Sequence, residues 1–328
     1  MGVGQSVTSS AAAGTAQELR SAAMFFAIMC TYRRPDEAVE YLRLLEEQTL
    51  APDVLVIVDN SPDDELRRLI PNRGQKRTEY RYVHSGSNIG PAGAFRRGFD
   101  EIRPELSPID VVAHFDDDDP PVAGDHLERL VRDLQDARTS DSRVAGVGLS
   151  GGSLSRWTGF VTGADRAIRL APVDHLHGGY LPVYCADALI DVSSHDPTFF
   201  YGFEELELGR RLTQNGWKLL VDNELMGAAE PLYPKRSALD GTRSEGQWSR
   251  FHKERNLVRI LRREQLWVAI VVTVVMRHFA KPLVLMLRHP RRGWGRLVLG
   301  WRATIAGLRA ETGVDPRYQP TTAPVSVS

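Results

Sequence analysis

The chain has 328 residues, enough for one large α/β domain with an appendage or for two modest domains. Its 41 Lys and Arg against 42 Asp and Glu leave a formal charge of -1, which argues against nucleic acid as the main partner. The two cysteines, Cys30 and Cys185, sit in apolar runs without CxxC or Cys/His ligand spacing, so they read as buried thiols in a reducing compartment and not as a zinc site.

Residues 1–23 are rich in Ser, Ala, Gly and Gln, lack a basic start and an apolar core, and read as a disordered tail, not a signal peptide. The continuous apolar run from Met24 to Cys30 predicts a strand buried on both faces. Pro35 then opens a helix carrying Ala38, Leu42 and Leu45 at helical spacing. Val54 to Val58 is a second buried strand, stopped by the turn Asp59-Asn60-Ser61-Pro62, and Tyr80 to Val83 is a third, exposed on one face. A helix from Gly90 to Phe99, a strand from Val111 to Phe115, a helix marked by Leu127, Leu130, Val131 and Leu134, and a strand from Val144 to Leu149 follow. The second half is less regular. It has a Gly-containing strand near Gly179 to Tyr184, a helix from Glu204 to Gln214 capped by Gly216, and a short strand from Lys218 to Val221.

Such alternation predicts a mainly parallel sheet with ligands at the carboxyl ends of its strands. Three strands end in polar residues there: Thr31 with Arg34, Asp59 with Asn60, and the run Asp116-Asp117-Asp118-Asp119. Consecutive carboxylates repel one another and persist when solvated or neutralised by a cation. The alternate pair Asp116 and Asp118 can reach one Mg²⁺ or Mn²⁺ that also holds a diphosphate and neutralises its developing charge.

Several segments resemble the family-two glycosyltransferases with a GT-A fold, bacterial rhamnosyl- and galactofuranosyltransferases among them. They are Thr31 to Pro35, Val58 to Ser61, Asn88 to Gly93, Phe115 to Asp118, Phe203 to Arg211 and Phe251 to Asn256, in an order that spans about residues 24–262. The resemblance implies a nucleotide-binding half over about 24–120 and an acceptor half over about 121–262. It implies that Thr31, Arg34, Asp59, Asn60, Asn88, Gly90, Gly93 and Asp117 contact a uridine- or thymidine-diphosphate sugar. It also implies an inverting reaction, rhamnose or galactofuranose as the sugar, and a lipid-linked glycan as the acceptor in cell-envelope polysaccharide synthesis. Glu205 stands at the base position with Glu204 orienting it, although most relatives carry Asp there. The metal- or diphosphate-binding His common after the strand equivalent to Lys218–Val221 is missing; Glu230 and His252 are the substitutes considered, with His252 joining Asp116 and Asp118 as a metal ligand.

Two other readings stand beside this one. A sugar-1-phosphate nucleotidyltransferase shares the α/β logic but wants a glycine-rich loop that Cys30 to Pro35 lacks. An inactive nucleotide-sugar-binding or membrane scaffold protein would explain the missing His.

The last third is rich in arginine. Leu266 to Met276 and Leu283 to Leu287 are apolar, with Arg277, His278 and Lys281 between them. A cation near the centre of a spanning helix costs on the order of 3 kcal/mol, so residues 263–310 are expected as amphipathic helices at an anionic membrane surface. A packing or dimer role is the other reading. Residues 311–328 read as a second disordered tail. The chain is thus expected on the inner face of the plasma membrane, as a peripheral protein.

Overall fold

The computed structural model describes residues 23–70, 77–231 and 246–320, so the expected N-terminal tail lies almost wholly outside the described residues. Strand β1 (Phe25–Thr31) is buried along its whole length. Its alternate side chains enter two cores: Phe26, Ile28 and Cys30 on one face of the sheet, Phe25, Ala27 and Met29 on the other. Helix α1 (Pro35–Glu46) starts on proline and buries Ala38, Tyr41, Leu42 and Leu45. Strand β2 (Val54–Asp59), the single-turn helix α2 (Glu65–Leu69), β3 (Glu79–His84) and α3 (Gly90–Ile102) follow. The chain then crosses back to β4 (Val111–Asp116) on the other side of β1.

Helix α4 (His126–Ser140) leads to β5 (Val144–Gly148). Short strands β6 (Gly151–Leu154), β7 (Val161–Gly163), β8 (Leu170–Val173) and β9 (His175–Leu176) come next, then β10 (Val183–Cys185), α5 (Ala186–Val192), α6 (Glu204–Gln214), β11 (Lys218–Asp222) and α7 (Asn223–Ala229). The main sheet runs β3-β2-β1-β4-β10-β5-β11-β8, and β7-β6-β9 form a small antiparallel sheet beside it. Strands β3, β2, β1 and β4 are mutually parallel, whereas β10 is antiparallel to β4 and β5, and β8 to β11. This is the mainly parallel, helix-flanked sheet of a GT-A fold.

Register sets the site. Thr31 pairs with Asp59 and Cys30 with Asp116, so three strand ends finish in one row. Because β1 lies between β2 and β4 and the chain reverses its order there, that row is the topological switch point of the sheet.

The expected strand at Gly179–Tyr184 is shorter and later. Gly178–Tyr180 form a 3-10 turn and Leu181 adopts φ 50° before β10 begins. The cause is local: Gly178 N–H donates to Glu205 Oε1 at 2.6 Å, and a Cβ on Gly179 would meet Asp119 Oδ2 at 2.0 Å. The turn is drawn against the acidic cluster.

Three helices close the chain: α8 (Gln247–Arg263), α9 (Trp267–Arg288) and α10 (Pro290–Leu308). The two apolar runs expected as separate amphipathic pieces form one continuous helix, α9, through a π-helical stretch at Val274–Ala280. By length and composition α9 could cross a membrane. Arg277 and His278 near its centre turn inward, while Lys281 stays exposed. Arg277 donates to Glu254 at 3.2 Å, and His278 lies between Glu254 and Thr304. Part of the tail expected from residue 311 is packed instead: Tyr318 is buried and stacks on Phe251 with centroids 4.2 Å apart, and Arg255 donates to the Gly313 carbonyl at 2.6 Å. Residues 321–328 lie outside the described residues.

Candidate active site

A cavity of about 620 Å³ opens at the row of strand ends. It is lined by Thr31, Arg34, Asn60, Asn88, Gly90, Asp116, Asp117, Asp118, Glu204 and Glu205 from the sequence reading. Lys253, from the segment Phe251 to Asn256, also lines it, as do Tyr201, Trp248, His175 and His177, which the sequence reading did not assign to the site because only the fold determines the direction of their segments.

On the β1 side, the Thr31 hydroxyl donates to Asp117 Oδ2 at 2.8 Å, and Arg34 Nη1 bridges Asp117 at 2.9 Å and Asp118 at 2.8 Å. Burial alone would disfavour the guanidinium charge, but the two carboxylates raise the Arg34 pKa above its ordinary value. Burial pushes the Asp117 carboxyl up to about 6 in spite of Arg34 and Thr31.

Asp59 is almost fully buried. Its carboxylate accepts from Ser61 N–H and from the Tyr82 hydroxyl, both at 2.8 Å. It faces an adjoining cavity of about 250 Å³ shared with Thr31, Arg33, Arg34 and Leu66. Asn60 donates to the Gly90 carbonyl at 3.2 Å, and Asn88 accepts from Gly90 N–H at 2.9 Å. Gly90 is required by geometry: φ is +72°, and a Cβ would lie 2.1 Å from the Phe200 carbonyl oxygen. Gly93 does not reach the cavity; a Cβ there would press on Ile89 at 3.0 Å, so its smallness serves packing inside α3 and not nucleotide approach.

The acidic pair opens α6 after the loop Phe199–Phe203, in which Phe200, Gly202 and Phe203 all have positive φ. That strained loop is held by Asn256 of α8, whose amide lies 2.8 Å from the carbonyls of Phe199 and Gly202 and 3.1 Å from that of Tyr201. The Arg-Asn pair of α8 is therefore a clamp on the loop that aims the acids. Glu204 is buried, and its Oε2 has no hydrogen-bond partner. Glu205 is the more accessible of the two and is fixed by Gly178 N–H. Burial raises both carboxyls above their ordinary range; Glu205 raises Glu204 further, while His177 and the Gly178 N–H restrain the rise at Glu205. Glu207 faces away and pairs with Arg211 at 2.7 Å and Arg263 at 2.6 Å.

Asp116 reaches from β4 towards Glu205. A Cβ on Gly178 would lie 2.7 Å from Glu205 Oε1 and 3.4 Å from Asp116 Oδ2, so both oxygens border the same small space. Burial, then Glu205, Asp118 and Asp117, push the Asp116 carboxyl well above its usual value. That repulsion is what a cation would relieve. Among the described residues no group of three or more His, Cys, Asp or Glu could hold a metal by itself. A Mg²⁺-type ion does not need one: one or two carboxylates suffice when substrate phosphates complete the shell.

His252 does not join this set. It is fully buried between Phe200 and Phe251, and its Nε2 lies 3.1 Å from the Tyr318 carbonyl oxygen. Its Nδ1 has no hydrogen-bond partner among the described residues, but His252 does not line the cavity that Asp116 and Asp118 share. Glu230 lies on the surface near Arg166, 3.8 Å away, and does not line the cavity. The imidazoles that do line it are His175 and His177.

Residues 26–159 match the family described as Glycosyl transferase family 2. A 75-residue stretch is 40% identical to the galactofuranosyltransferase GlfT1 of Mycobacterium tuberculosis strain H37Rv, covering 22% of this chain and 24% of that protein. The same match is found in strain CDC 1551 / Oshkosh. The chain thus spans about a quarter of the length of the curated relatives it matches. Among solved structures, the mannosyltransferase PcManGT from Pyrobaculum calidifontis, in complex with GDP-Man and Mn²⁺, is 15% identical with a TM-score of 0.48, over 87% of this chain and 88% of that one. A 4-diphosphocytidyl-2C-methyl-D-erythritol synthase is 13% identical with a TM-score of 0.36, over 61% and 89%.

Proposed function

We propose that this chain, a glycosyltransferase with a family 2 domain over residues 26–159, inverts the anomeric centre of a sugar as it moves it from a uridine or thymidine diphosphate to an acceptor hydroxyl. Galactofuranose and rhamnose are the favoured sugars. The observation that carries the reading is the meeting of Glu205 and Asp116 across one small space at the switch point of the sheet.

The nucleotide sits along the ends of β1 and β2, with Asp59, Thr31 and Arg34 around it. Arg34 is shared between Asp117 and Asp118 and balances their charge beside the diphosphate. Asp116 and Asp118 would hold a Mn²⁺ or Mg²⁺ ion, and such an ion, when bound, supplies positive charge to the leaving diphosphate. The acceptor oxygen attacks the anomeric carbon in line, the bond from that carbon to the diphosphate oxygen breaks, and Glu205 takes the hydroxyl proton. Its fixed Oε1 leaves Oε2 for that proton, and a carboxyl raised by burial is a stronger base than a solvated one. Glu204, buried beside it, keeps Glu205 on the cavity side.

The acceptor is a lipid-linked glycan, with the protein on the inner face of a membrane. Supporting this, α9 carries Val268, Val271, Val275, Leu283, Val284 and Leu287 exposed on its outer side. Its Arg277 and His278 are tied to Glu254 on α8, which fixes the helix along the catalytic body and favours lying in the interface over crossing it.

A thermal-shift screen of nucleotide sugars with and without Mn²⁺ tests the reading, since a ligand that binds only the folded state raises the melting temperature. A uridine or thymidine donor should give the largest shift, and only with the metal. If no nucleotide sugar shifts the transition, the assignment is wrong; binding without turnover would leave a nucleotide-sugar-binding protein.

A further inference from the structure

Arg255 of α8 is among the largest fully buried side chains of the protein. Every hydrogen bond it makes among the described residues goes to a neutral oxygen. These are the Gly313 carbonyl at 2.6 Å, Asn256 Oδ1 at 3.1 and 3.2 Å, and the Phe199 carbonyl at 3.4 Å. Burial, and then the nearby Arg259, lower its pKa to about 10. A buried guanidinium is costly unless its N–H groups are met, so those oxygens are what keep it there. One of them belongs to the loop that precedes Glu204, and the one held at the shortest distance belongs to the end of the chain.

The end of the chain meets the same loop by two further routes. Gly313 N–H donates to the Thr198 carbonyl at 2.9 Å. Tyr318 stacks on Phe251, and its carbonyl oxygen lies 3.1 Å from His252 Nε2. The His252 ring packs edge-on against Phe200 with centroids 5.1 Å apart. On the far side of the loop, Ala92 N–H donates to the Phe200 carbonyl at 3.4 Å, beside Gly90. Residues 200–203 line the acidic cavity, while Gly313 and Tyr318 do not. The loop is thus held between the cavity in front and residues 313–318 behind, with Arg255 and His252 as the links.

Left-handed backbone at a bulky residue is strained and persists only where its surroundings over-determine it. Phe200 and Phe203 have φ of 60° and 63°, and Phe203 directly precedes Glu204. A loop released from behind can relax, and the first turn of α6 then moves with it. We propose that residues 313–318 are a strap that positions the acidic pair: docked through Arg255 and His252, they hold the loop in its strained form and keep Glu205 on the Gly178 N–H. The part of the strap in sugar transfer rests on the transferase reading; its part in holding Glu205 does not.

The test uses the full chain with Tyr318→Ala, which removes the stack on Phe251, and Tyr318→Phe, which keeps it. Release of nucleoside diphosphate is measured with Mn²⁺ and water as the acceptor. The donor is uridine-diphosphate galactofuranose or thymidine-diphosphate rhamnose, whichever raises the melting temperature. Donor affinity and amide hydrogen exchange are followed beside it, all well below the melting temperature. Tyr318→Ala should lower kcat by about 10- to 100-fold, since a misplacement of about 1 Å can cost a hundredfold, and leave donor affinity within about twofold. Tyr318→Phe should keep wild-type turnover. The Gly178 amide, which Glu205 covers, should exchange about tenfold faster in Tyr318→Ala, a change that lost packing at Phe251 alone would not produce. If Tyr318→Ala melts below the assay temperature, Gly313→Val takes its place. There φ is +67° and nothing lies within 4 Å of a Cβ, so a β-branched residue strains the strap without displacing a core side chain. Unchanged Gly178 exchange overturns the proposal whatever the turnover, because the segment would then only pack against α8. Faster Gly178 exchange with wild-type turnover overturns the part of the strap in transfer. A wild type that releases no nucleoside diphosphate overturns the transferase reading instead, and the Gly178 amide still tests the strap.

Discussion

Two cavities with opposite chemistry share helix α8. One gathers Asp116, Asp117 and Asp118 at a strand end with Glu204 and Glu205 at the start of α6; the other gathers Arg250, Arg277, Lys281 and Arg296 between helices. The first is built where buried β-strands meet the start of α6, with Asp116 fixed by strand register and Glu205 by the Gly178 N–H. The second is built on helices whose outer faces remain apolar and uncovered. The difference teaches where the fold places rigidity and where it places contact: like charges are held together where chemistry needs them, and apolar surface stays open where a second phase can cover it.

The sharpest way to break this contrast is at the acidic cavity. Glu205→Gln should lower kcat by about 10² to 10⁴, the usual worth of a general base, with donor binding intact. Glu204→Gln should retain more activity, since that carboxylate is buried behind its neighbour. Steady-state kinetics beside donor titration checks both, and a Glu205→Gln enzyme within a few-fold of wild type would remove the base assignment.

Asp118→Asn tests the cation. It removes a charge at constant volume and frees Arg34 from one of its two partners. Donor affinity in Mn²⁺ should fall by roughly a hundredfold, because a bound ion of this kind is worth several kcal/mol. Calorimetry with and without chelator distinguishes this from a loss of Arg34 geometry, which would weaken binding equally in both conditions.

Buried imidazoles sharpen the comparison in another way. His114, in the sheet, is packed against Phe95, Tyr184 and His195, and its Nε2 has no partner; His278, among the helices, has Glu254. Burial lowers the His114 pKa to about 3. The unfolded chain, near 6.5, then binds more protons than the folded one between those values, so the stability is full above 6.5 and is lost as pH falls. At pH 5 the loss is about 2 kcal/mol. Denaturant melts from pH 7 to 5 should show it, and His114→Phe should flatten the slope; an unchanged slope would mean that His114 is not held neutral.

The smallest effect is expected at the helices. Val284→Glu with Leu287→Glu should weaken binding to anionic vesicles by roughly tenfold, through lost apolar burial. The melting temperature should not move, because both side chains are exposed, 64% and 86%. Removing α9 and α10 altogether would be a poorer test, since Leu299, Ala303 and Ala306 of α10 pack with Phe251 in a core of their own. Unchanged sedimentation of the double variant would assign the face to protein packing, including a homo-oligomer.

Much of this was legible before the structure. Apolar runs such as Phe25–Met29 and Val54–Val58 can only be strands buried on both faces, and the polar residues that stop them must therefore fall at one edge. The run Asp116–Asp119 and the pair Glu204–Glu205 stand out because unpaired carboxylates are costly wherever they cluster. What the sequence could not settle depended on contacts between distant segments. His252 looked available as a ligand, yet the fold buries it against Phe200 and Phe251 outside the cavity, where it meets Tyr318 from a tail expected to be disordered. His175 and His177 sit in an irregular segment with no periodicity, and they reach the cavity because Gly178 turns against Glu205. The polar residues inside α9 read as a barrier in an apolar run, yet side-chain direction on a helix is set by its neighbour, and Glu254 draws Arg277 and His278 inward. Local pattern determines which residues form an element and which face is apolar; which charged groups meet is a matter of packing, because Coulomb attraction and hydrogen bonding act over a few ångströms that only the assembled fold defines.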